Sequence, residues 1–373
     1  MQTRHAFSIA ISTALLCTTA SAQTSVTVYG LLDAAVASYK GESTGVKASD
    51  LRLKALINGA LTTSHWGIRG SEDLGDGLSA FFDLSSFIRV DTGQSGRADA
   101  FGPPVNVAAD PFFARASFVG LRSSSLGSLR LGNSSTPLFV NSITSNAFAD
   151  SMVFSPIQLA TFVGSPLTGG TAWTNSAIYD SPRWAGLYLS LMGSLAETQG
   201  GRNVGGRVGY AQGDFATSVA WQSVKKNPLT FADGLSSNNT TSWQWAGAYD
   251  FKSVKLFAHL GSIQNNGTEA APLAVLYRIW DISASVPVGL GQVLVGYAVR
   301  KTNDVVGPVP ATVNGGNVER RVFSLAYDYY LSKRTDAYAL YSQDETVTRT
   351  LPAPGRMVAA KGSAFVVGVR HRF

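Results

Sequence analysis

From residue 25 to the C-terminus, apolar and polar side chains alternate with a period of two, in short runs separated by turn-rich segments. In one run Phe323, Leu325, Tyr327 and Tyr329 fall on one side and Ser324, Ala326 and Asp328 on the other. Val293, Val295, Tyr297 and Val299 likewise oppose Gly296, Ala298 and Arg300, and Trp243, Trp245 and Tyr249 oppose Gln244, Ala246, Ala248 and Asp250. Period two is the mark of a β-strand with two unlike faces. Sixteen such segments are predicted, near 25–38, 62–71, 78–91, 112–122, 128–133, 175–181, 187–196, 204–212, 215–225, 241–250, 254–264, 277–286, 292–301, 319–330, 335–344 and 363–373. Most are close to the roughly 9–11 residues a tilted strand needs to cross a bilayer.

The connections alternate in length. Glu72-Asp73-Leu74-Gly75-Asp76-Gly77, Gln212-Gly213-Asp214, Pro287-Val288-Gly289-Leu290-Gly291 and Leu331-Ser332-Lys333-Arg334 are tight turns, rich in residues that tolerate or favour turn geometry. Between them lie long connections at 39–61, 92–111, 134–174, 226–240, 265–276, 302–318 and 345–362. Short turns at one end and long loops at the other are the plan of a membrane-spanning barrel. The apolar faces would form the core of a soluble sandwich, but two features assign them to lipid. Aromatic residues gather near strand ends (Tyr29, Trp66, Phe215, Trp221, Trp243, Tyr249, Tyr329, Tyr341 and Phe373), where their rings suit the headgroup level. The opposite faces are Gly, Ala, Ser and scattered charge, as a wet lumen requires. An even number of strands can close with no exposed edge, so every backbone polar group finds a partner. The expected fold is all-β, a sixteen-stranded antiparallel transmembrane barrel.

Composition agrees. Charged residues make up only 14% of the chain, with 38 glycines, against about 25% charge in a typical soluble domain. After residue 22 no apolar run approaches the roughly 20 residues of a transmembrane helix. The first 22 residues read as a signal peptide: Arg4, an apolar stretch from Phe7 to Leu16, and the small-x-small site Ala20-Ser21-Ala22. Residues 23–373 would then form the barrel domain. The one cysteine, Cys17, lies in the signal, so the exported chain has neither disulfides nor thiolate chemistry. Without Arg4 the excess of Lys and Arg over Asp and Glu falls from 6 to 5. That excess is spread too thinly to suggest nucleic-acid binding. No His, Asp and Glu set has metal-ligand spacing and no Gly-rich loop precedes a helix, so neither metal nor cofactor is expected. Gly41-Glu42-Ser43-Thr44-Gly45 matches G-x-S-x-G in form but lies in a polar loop, without the strand-turn-helix context that motif needs. Catalysis is not expected.

Several motifs, in order, resemble the trimeric general porins of Gram-negative outer membranes, in particular the betaproteobacterial branch. The opening Ser25-Val26-Thr27-Val28-Tyr29-Gly30-Leu31-Leu32-Asp33-Ala34 is similar to that family's first strand, and Trp66-Gly67-Ile68-Arg69-Gly70-Ser71-Glu72-Asp73-Leu74-Gly75-Asp76-Gly77-Leu78 to its second strand, turn and third strand. Phe118-Val119-Gly120-Leu121, Asn175-Ser176-Ala177-Ile178-Tyr179-Asp180-Ser181-Pro182, Tyr330-Leu331-Ser332-Lys333-Arg334-Thr335-Asp336 and the terminal Gly368-Val369-Arg370-His371-Arg372-Phe373 resemble later motifs. The resemblance implies an outer-membrane homotrimer surrounded by lipid and lipopolysaccharide, passing small hydrophilic solutes by passive diffusion. It implies that the third loop, 134–174, folds into the lumen, and that Phe373 belongs to the signal read by the barrel-assembly machinery. The residues favour the inward loop too: Phe139, Phe148, Met152, Phe154, Ile157 and Phe162 need a surface to pack on. Loop 92–111, with Pro103, Pro104 and Pro111, is the candidate latch between subunits.

A pore selects by its narrowest radius and its lining charges. Strand alternation points Arg69, Arg89, Arg115, Arg130, Arg207 and Arg300 into the lumen, with Asp33, Asp83 and Asp250. The inward loop adds a single charge, Asp150. Arg115 keeps a position resembling the family's arginine column. His65, Asn133 and Thr171-Ala172-Trp173 stand where the resembled family often has arginine, which weakens the expected transverse field. The expectation is a weakly anion-preferring general channel. The alternative is a channel selective for organic acids or aromatic compounds, with Phe81, Trp173 and Tyr188 along its path.

Overall fold

The computed structural model describes residues 25–41, 52–97, 110–162, 168–197, 202–225, 229–230, 236–237, 239–267, 272–302, 318–349 and 357–373. The signal-peptide expectation for residues 1–22, most of the latch and residues 42–45 of the G-x-S-x-G match lie outside them. The strands in chain order begin with β1 (Ser25–Gly41), β2 (Arg52–Asn58), β3 (His65–Gly75), β4 (Leu78–Phe87), β5 (Ala116–Ser123), β6 (Gly127–Ser135), β7 (Ala172–Asp180), β8 (Leu187–Ser194), β9 (Asn203–Gln212) and β10 (Phe215–Val224). A two-residue ribbon, β11 (Leu229–Thr230) and β12 (Ser236–Ser237), stands apart from the wall. Then follow β13 (Thr240–Asp250), β14 (Lys255–Gly267), β15 (Pro272–Val288), β16 (Gly291–Thr302), β17 (Val318–Tyr330), β18 (Thr335–Arg349) and β19 (Met357–Arg372).

Seventeen of these strands form one antiparallel sheet that closes where β1 meets β19, from Leu31↔Arg372 to Gly41↔Gly362. β2 and β3 pair in succession with the same strand β1, at Ala34↔Asn58 to Lys40↔Arg52 and at Ser25↔Ser71 to Leu31↔His65. They are two halves of one stave, so the wall has sixteen staves, as the alternation predicts. The broken second stave differs from expectation. Residues 52–58 read as loop because Arg52 and Lys54 interrupt the apolar set, whereas Ala55 and Ile57 pair with Ala37 and Ala35 across the wall. Residues 62–64, expected in a strand, instead belong to a six-residue excursion, 59–64. Asp33 holds it: one carboxylate oxygen accepts from the Leu61 and Thr62 amides at 2.9 and 2.7 Å, and its backbone carbonyl accepts from Gly59 at 2.9 Å.

The outer face is apolar. Val26, Val36, Val119, Leu129, Val208, Leu260, Ile282, Leu325 and Val367 are exposed, the state of lipid-facing residues with no partner in the wall. The aromatics Trp221, Trp243, Tyr249, Tyr329, Tyr341 and Phe373 are exposed with them. Tyr29 is a correction. It shares its face with the buried Leu31, Asp33 and Ala35, and its hydroxyl donates to Asp83 at 2.7 and 2.8 Å inside the barrel. In the first tight turn Gly75, Asp76 and Gly77 all have positive φ (87°, 52° and 73°), which glycine adopts without steric cost and aspartate tolerates.

The lumen is partly filled by the third loop. It carries α1 (Pro137–Thr144) and α2 (Pro156–Thr161). Thr136 caps α1 by accepting from the Phe139 amide at 3.2 Å, with Pro137 in the first turn, an arrangement that satisfies an otherwise orphaned N–H. α1 packs on β9, β10 and β13, and α2 on β15, β16 and β17. Phe148 and Phe154 join Ala35, Ala37, Ile57, Leu294, Ala326 and Leu340 in one apolar cluster, while Ile157 joins Ile263, Tyr277 and Ile279. The third loop is folded inward, and its aromatics pack on small residues of the inner wall.

Candidate functional site

Polar anchors at strand positions set the loop's place. Asn141 of α1 donates to the Gln244 side chain at 3.0 Å and accepts from Ser218 at 2.6 Å and from Arg207 Nε at 3.2 Å. Arg207 also reaches Thr144 at 3.0 Å. At the other end, Arg300 Nη1 donates to the Ala160 carbonyl at 3.2 Å and Arg320 Nη1 to the Leu159 carbonyl at 2.8 Å. These carbonyls of the last turn of α2 would otherwise lack partners. Arg320 is itself held by Asp344, with Nε 3.0 Å from Oδ1. Ser324 donates to the Phe154 carbonyl at 2.6 Å, and Ser151 to the Ala60 carbonyl of the 59–64 excursion at 2.7 Å. A Cβ on Gly296 would come within 3.1 Å of Pro156 and 3.2 Å of Phe148, so the small wall residue lets the loop lie close.

The loop leans on the wall from β9 round to β1, and open space remains beside β4 to β10, lying beneath α1 where the two overlap. Two neighbouring cavities that share lining residues occupy it. The first, about 440 Å³, has Asp83, Arg97, Arg115 and Arg130 on the wall and Val140, Ile143, Asp150 and Met152 on the loop. The second, about 400 Å³, lies beneath α1 toward the short turns and is lined by Arg130, Asp180, Arg183, Tyr188 and Arg207. Arg130, Ser135 and Val140 border both. Arg130 bonds Asp180 at 2.9 Å and lies over the Phe118 ring at 5.3 Å.

The six strand arginines expected in the lumen separate into different roles. Arg115 and Arg130 border the first cavity, and Arg130 and Arg207 the second. Arg69 faces Asp83 across β3 and β4 and lies over the Tyr29 ring at 4.8 Å. Arg89 is buried under the turn that follows β4, where a Cβ on Gly96 would meet its Nε at 2.7 Å. Arg300 grips the loop instead of lining either cavity. Asp150, on the loop, faces Arg115 across the first cavity. Loss of solvation pushes its carboxyl above the ordinary aspartate range, against the pull of Arg115 and Arg370. Phe373 exchanges backbone hydrogen bonds with Gly30 at 3.1 Å each way, closing the seam beside β3.

The positions that depart from arginine hold backbone. Asn133 donates to the Ala114 and Phe113 carbonyls at 2.9 and 3.4 Å and so pins the start of β5 beside Arg115. His65 places Nδ1 2.9 Å from the Thr63 carbonyl at the edge of the excursion. Trp173 is buried with Ile178, Met192 and Val224, away from the open path, whereas Tyr188 lines the second cavity. Arg97 and Arg183 border the cavities but were not visible to strand alternation, since both lie outside strands. Their signal was the position of a charged residue next to a wall segment. Among the described residues no group of three or more His, Cys, Asp or Glu side chains is placed to hold a metal ion.

The chain is 27% identical to an outer membrane porin protein of Bordetella pertussis, over 95% of this chain and 96% of that protein. It is 28% identical to outer membrane porin protein 32 of Delftia acidovorans, over 95% of each. Among solved structures, an anion-selective porin from Comamonas acidovorans superposes with a TM-score of 0.73 at 23% identity, covering 94% of this chain and 100% of that one. The trimer form of OmpT from Vibrio cholerae superposes with a TM-score of 0.65 at 13% identity, covering 94% and 99%. These two share the fold of this chain over nearly its whole length. The sequence profile of the Gram-negative porins runs over residues 8–349, through both the wall and the inward loop. With the profile spanning nearly all of the barrel, the chain belongs to the Gram-negative porin family and forms a channel of the outer membrane.

Proposed function

We propose that this porin is a homotrimeric general diffusion channel for small hydrophilic solutes, with a weak preference for anions and no catalytic activity. One observation carries the preference. Five arginines (Arg97, Arg115, Arg130, Arg183 and Arg207) border the two open cavities, against the three carboxylates Asp83, Asp150 and Asp180. Guanidinium stays charged at any relevant pH, so the path carries a lasting excess of positive charge, moderated by its carboxylates. The similarity to an anion-selective porin and to an outer membrane protein with a trimer form supports the selectivity and the assembly. Lipid and lipopolysaccharide around the apolar wall, and the barrel-assembly machinery acting on the strand that ends in Phe373, complete the expected partners.

The test is the reversal potential of purified protein in a planar bilayer across a KCl gradient. Anion preference gives a potential of the chloride sign and modest size. A clear cation-selective potential would overturn the reading. Liposome swelling with sugars, amino acids and dicarboxylates separates a general channel, which admits all three according to size, from a substrate-selective one.

A further inference from the structure

The second cavity has a feature that a diffusion path alone does not require. Arg183 and Arg207 both stack on the Tyr188 ring, with their guanidinium carbons 4.9 and 5.0 Å from its centre. Neither has a carboxylate within ion-pair distance among the described residues. Arg207 is satisfied by neutral groups, Asn141, Thr144 and Ser218, and the single nearby carboxylate, Asp180, is taken by Arg130. Two like charges are thus gathered on one aromatic platform. Stacking on tyrosine offsets part of their repulsion but leaves both charges without a counter-charge. Hydroxyls of Thr144, Ser190 and Ser218 line the same cavity. It sits beneath α1, so a solute that has passed the loop meets it next.

We propose that this cavity is a transient binding stop for small dianions, oxyanions or dicarboxylates carrying two charges, which neutralise Arg183 and Arg207 together. The proposal rests on the reading of the channel as anion-preferring. Guanidinium groups present paired donors that match carboxylate and phosphate geometry, and two of them without a counter-charge select two negative charges over one. Binding is weak, because conduction requires that the ion also leave.

The experiment measures chloride current through single channels while sulfate, inorganic phosphate or succinate is added at constant ionic strength, with acetate as the monoanion comparison. Each dianion is expected to reduce the current at a half-blocking concentration roughly tenfold or more below that of acetate, as an additional charge-assisted contact implies. The substitution Arg183→Gln should raise the half-blocking concentration of the dianions by about the same factor. Arg183 is exposed in a turn, so its replacement leaves no buried group without a partner. Equal sensitivity to acetate and dianions, in a wild-type channel whose reversal potential is anion-selective, overturns the stop and leaves the anion preference standing. An unchanged response in Arg183→Gln overturns it as well. A cation-selective reversal potential sinks the broader reading itself. If sulfate and phosphate block and succinate does not, the stop takes compact oxyanions; the reverse result assigns it to dicarboxylates.

Discussion

Arg370 shows how much one side chain can hold. It lies opposite Asp33 across the closing seam and donates to Asp336 at 2.8 Å, Asp328 at 3.0 Å and Thr62 at 2.8 Å. Tyr338 bonds Asp33 at 2.5 Å in the same network. The 59–64 excursion and the last three staves are therefore tied through one guanidinium, and Tyr338 joins the first stave to them. Replacing Arg370 by Ala strands the buried carboxylate of Asp328 and leaves Asp336 with Arg372 alone, which costs about 3–5 kcal/mol by analogy with broken buried ion pairs. Urea unfolding in detergent should show that loss as a lower midpoint. Asp150 is the residue whose charge acid can change. Its carboxyl is held above the ordinary range, so on acidification it takes up a proton at a higher pH than an ordinary aspartate. Negative charge then disappears from the loop opposite Arg115, and anion preference rises as pH falls. Reversal potentials across a pH series should show that rise, and Asp150→Asn should show the high preference already at neutral pH, with a flatter pH response.

At the scale of elements, the inward loop is a strap fastened at both ends. Asn141 unites Gln244, Ser218 and Arg207 at the α1 end, while Arg300 and Arg320 hold the end of α2. Asn141→Ala removes the shared partner of three polar groups, at about 1–3 kcal/mol for each group left buried without one. The loop should then leave the β9–β13 wall more often, and single-channel recordings should show greater open-channel noise. Replacing Arg300 and Arg320 together should loosen the α2 end without touching the second cavity. The interrupted second stave is a separate element. Asp33→Ala removes the acceptor for the Leu61 and Thr62 amides, and hydrogen exchange of residues 59–64 should quicken while β4 and β5 keep their protection.

For the whole molecule, closure and selectivity come from the same division of faces. The outer positions meet lipid and the inner ones carry small residues, so a loop of 36 residues between β6 and β7 has room inside. The loop covers the wall from β9 round to β1 and leaves the path on the arginine-bearing side, beside β4 to β10. Position therefore decides which inward charges act on solutes: Arg115, Arg130 and Arg207 border open space, whereas Arg300, Arg320 and Arg370 are spent on the protein itself. Neutralising Arg115 and Arg130 should lower the chloride preference more than neutralising Arg89, which is buried under its own turn. Reversal potentials of the three variants compare them directly.

The alternation of side chains by itself determined the architecture. Period two assigns inner and outer faces, turn chemistry assigns the short end, and the need to pair every backbone group in lipid demands closure. The apolar residues of 134–174 also announced that this loop packs on something. Alternation states only that a side chain points inward; it does not say what it meets there. Whether Arg300 lines a channel or binds the last turn of a helix depends on where a loop distant in sequence comes to rest. The same is true of Asn133 and His65, whose partners are backbone carbonyls of neighbouring segments. The break at 59–64 was hidden because its cause is the carboxylate of Asp33 on the adjacent stave. Arg97 and Arg183 escaped because side chains outside strands have no period to read. The wall is local and periodic, hence legible; the constriction is made by contacts across the lumen, which only the folded barrel brings together.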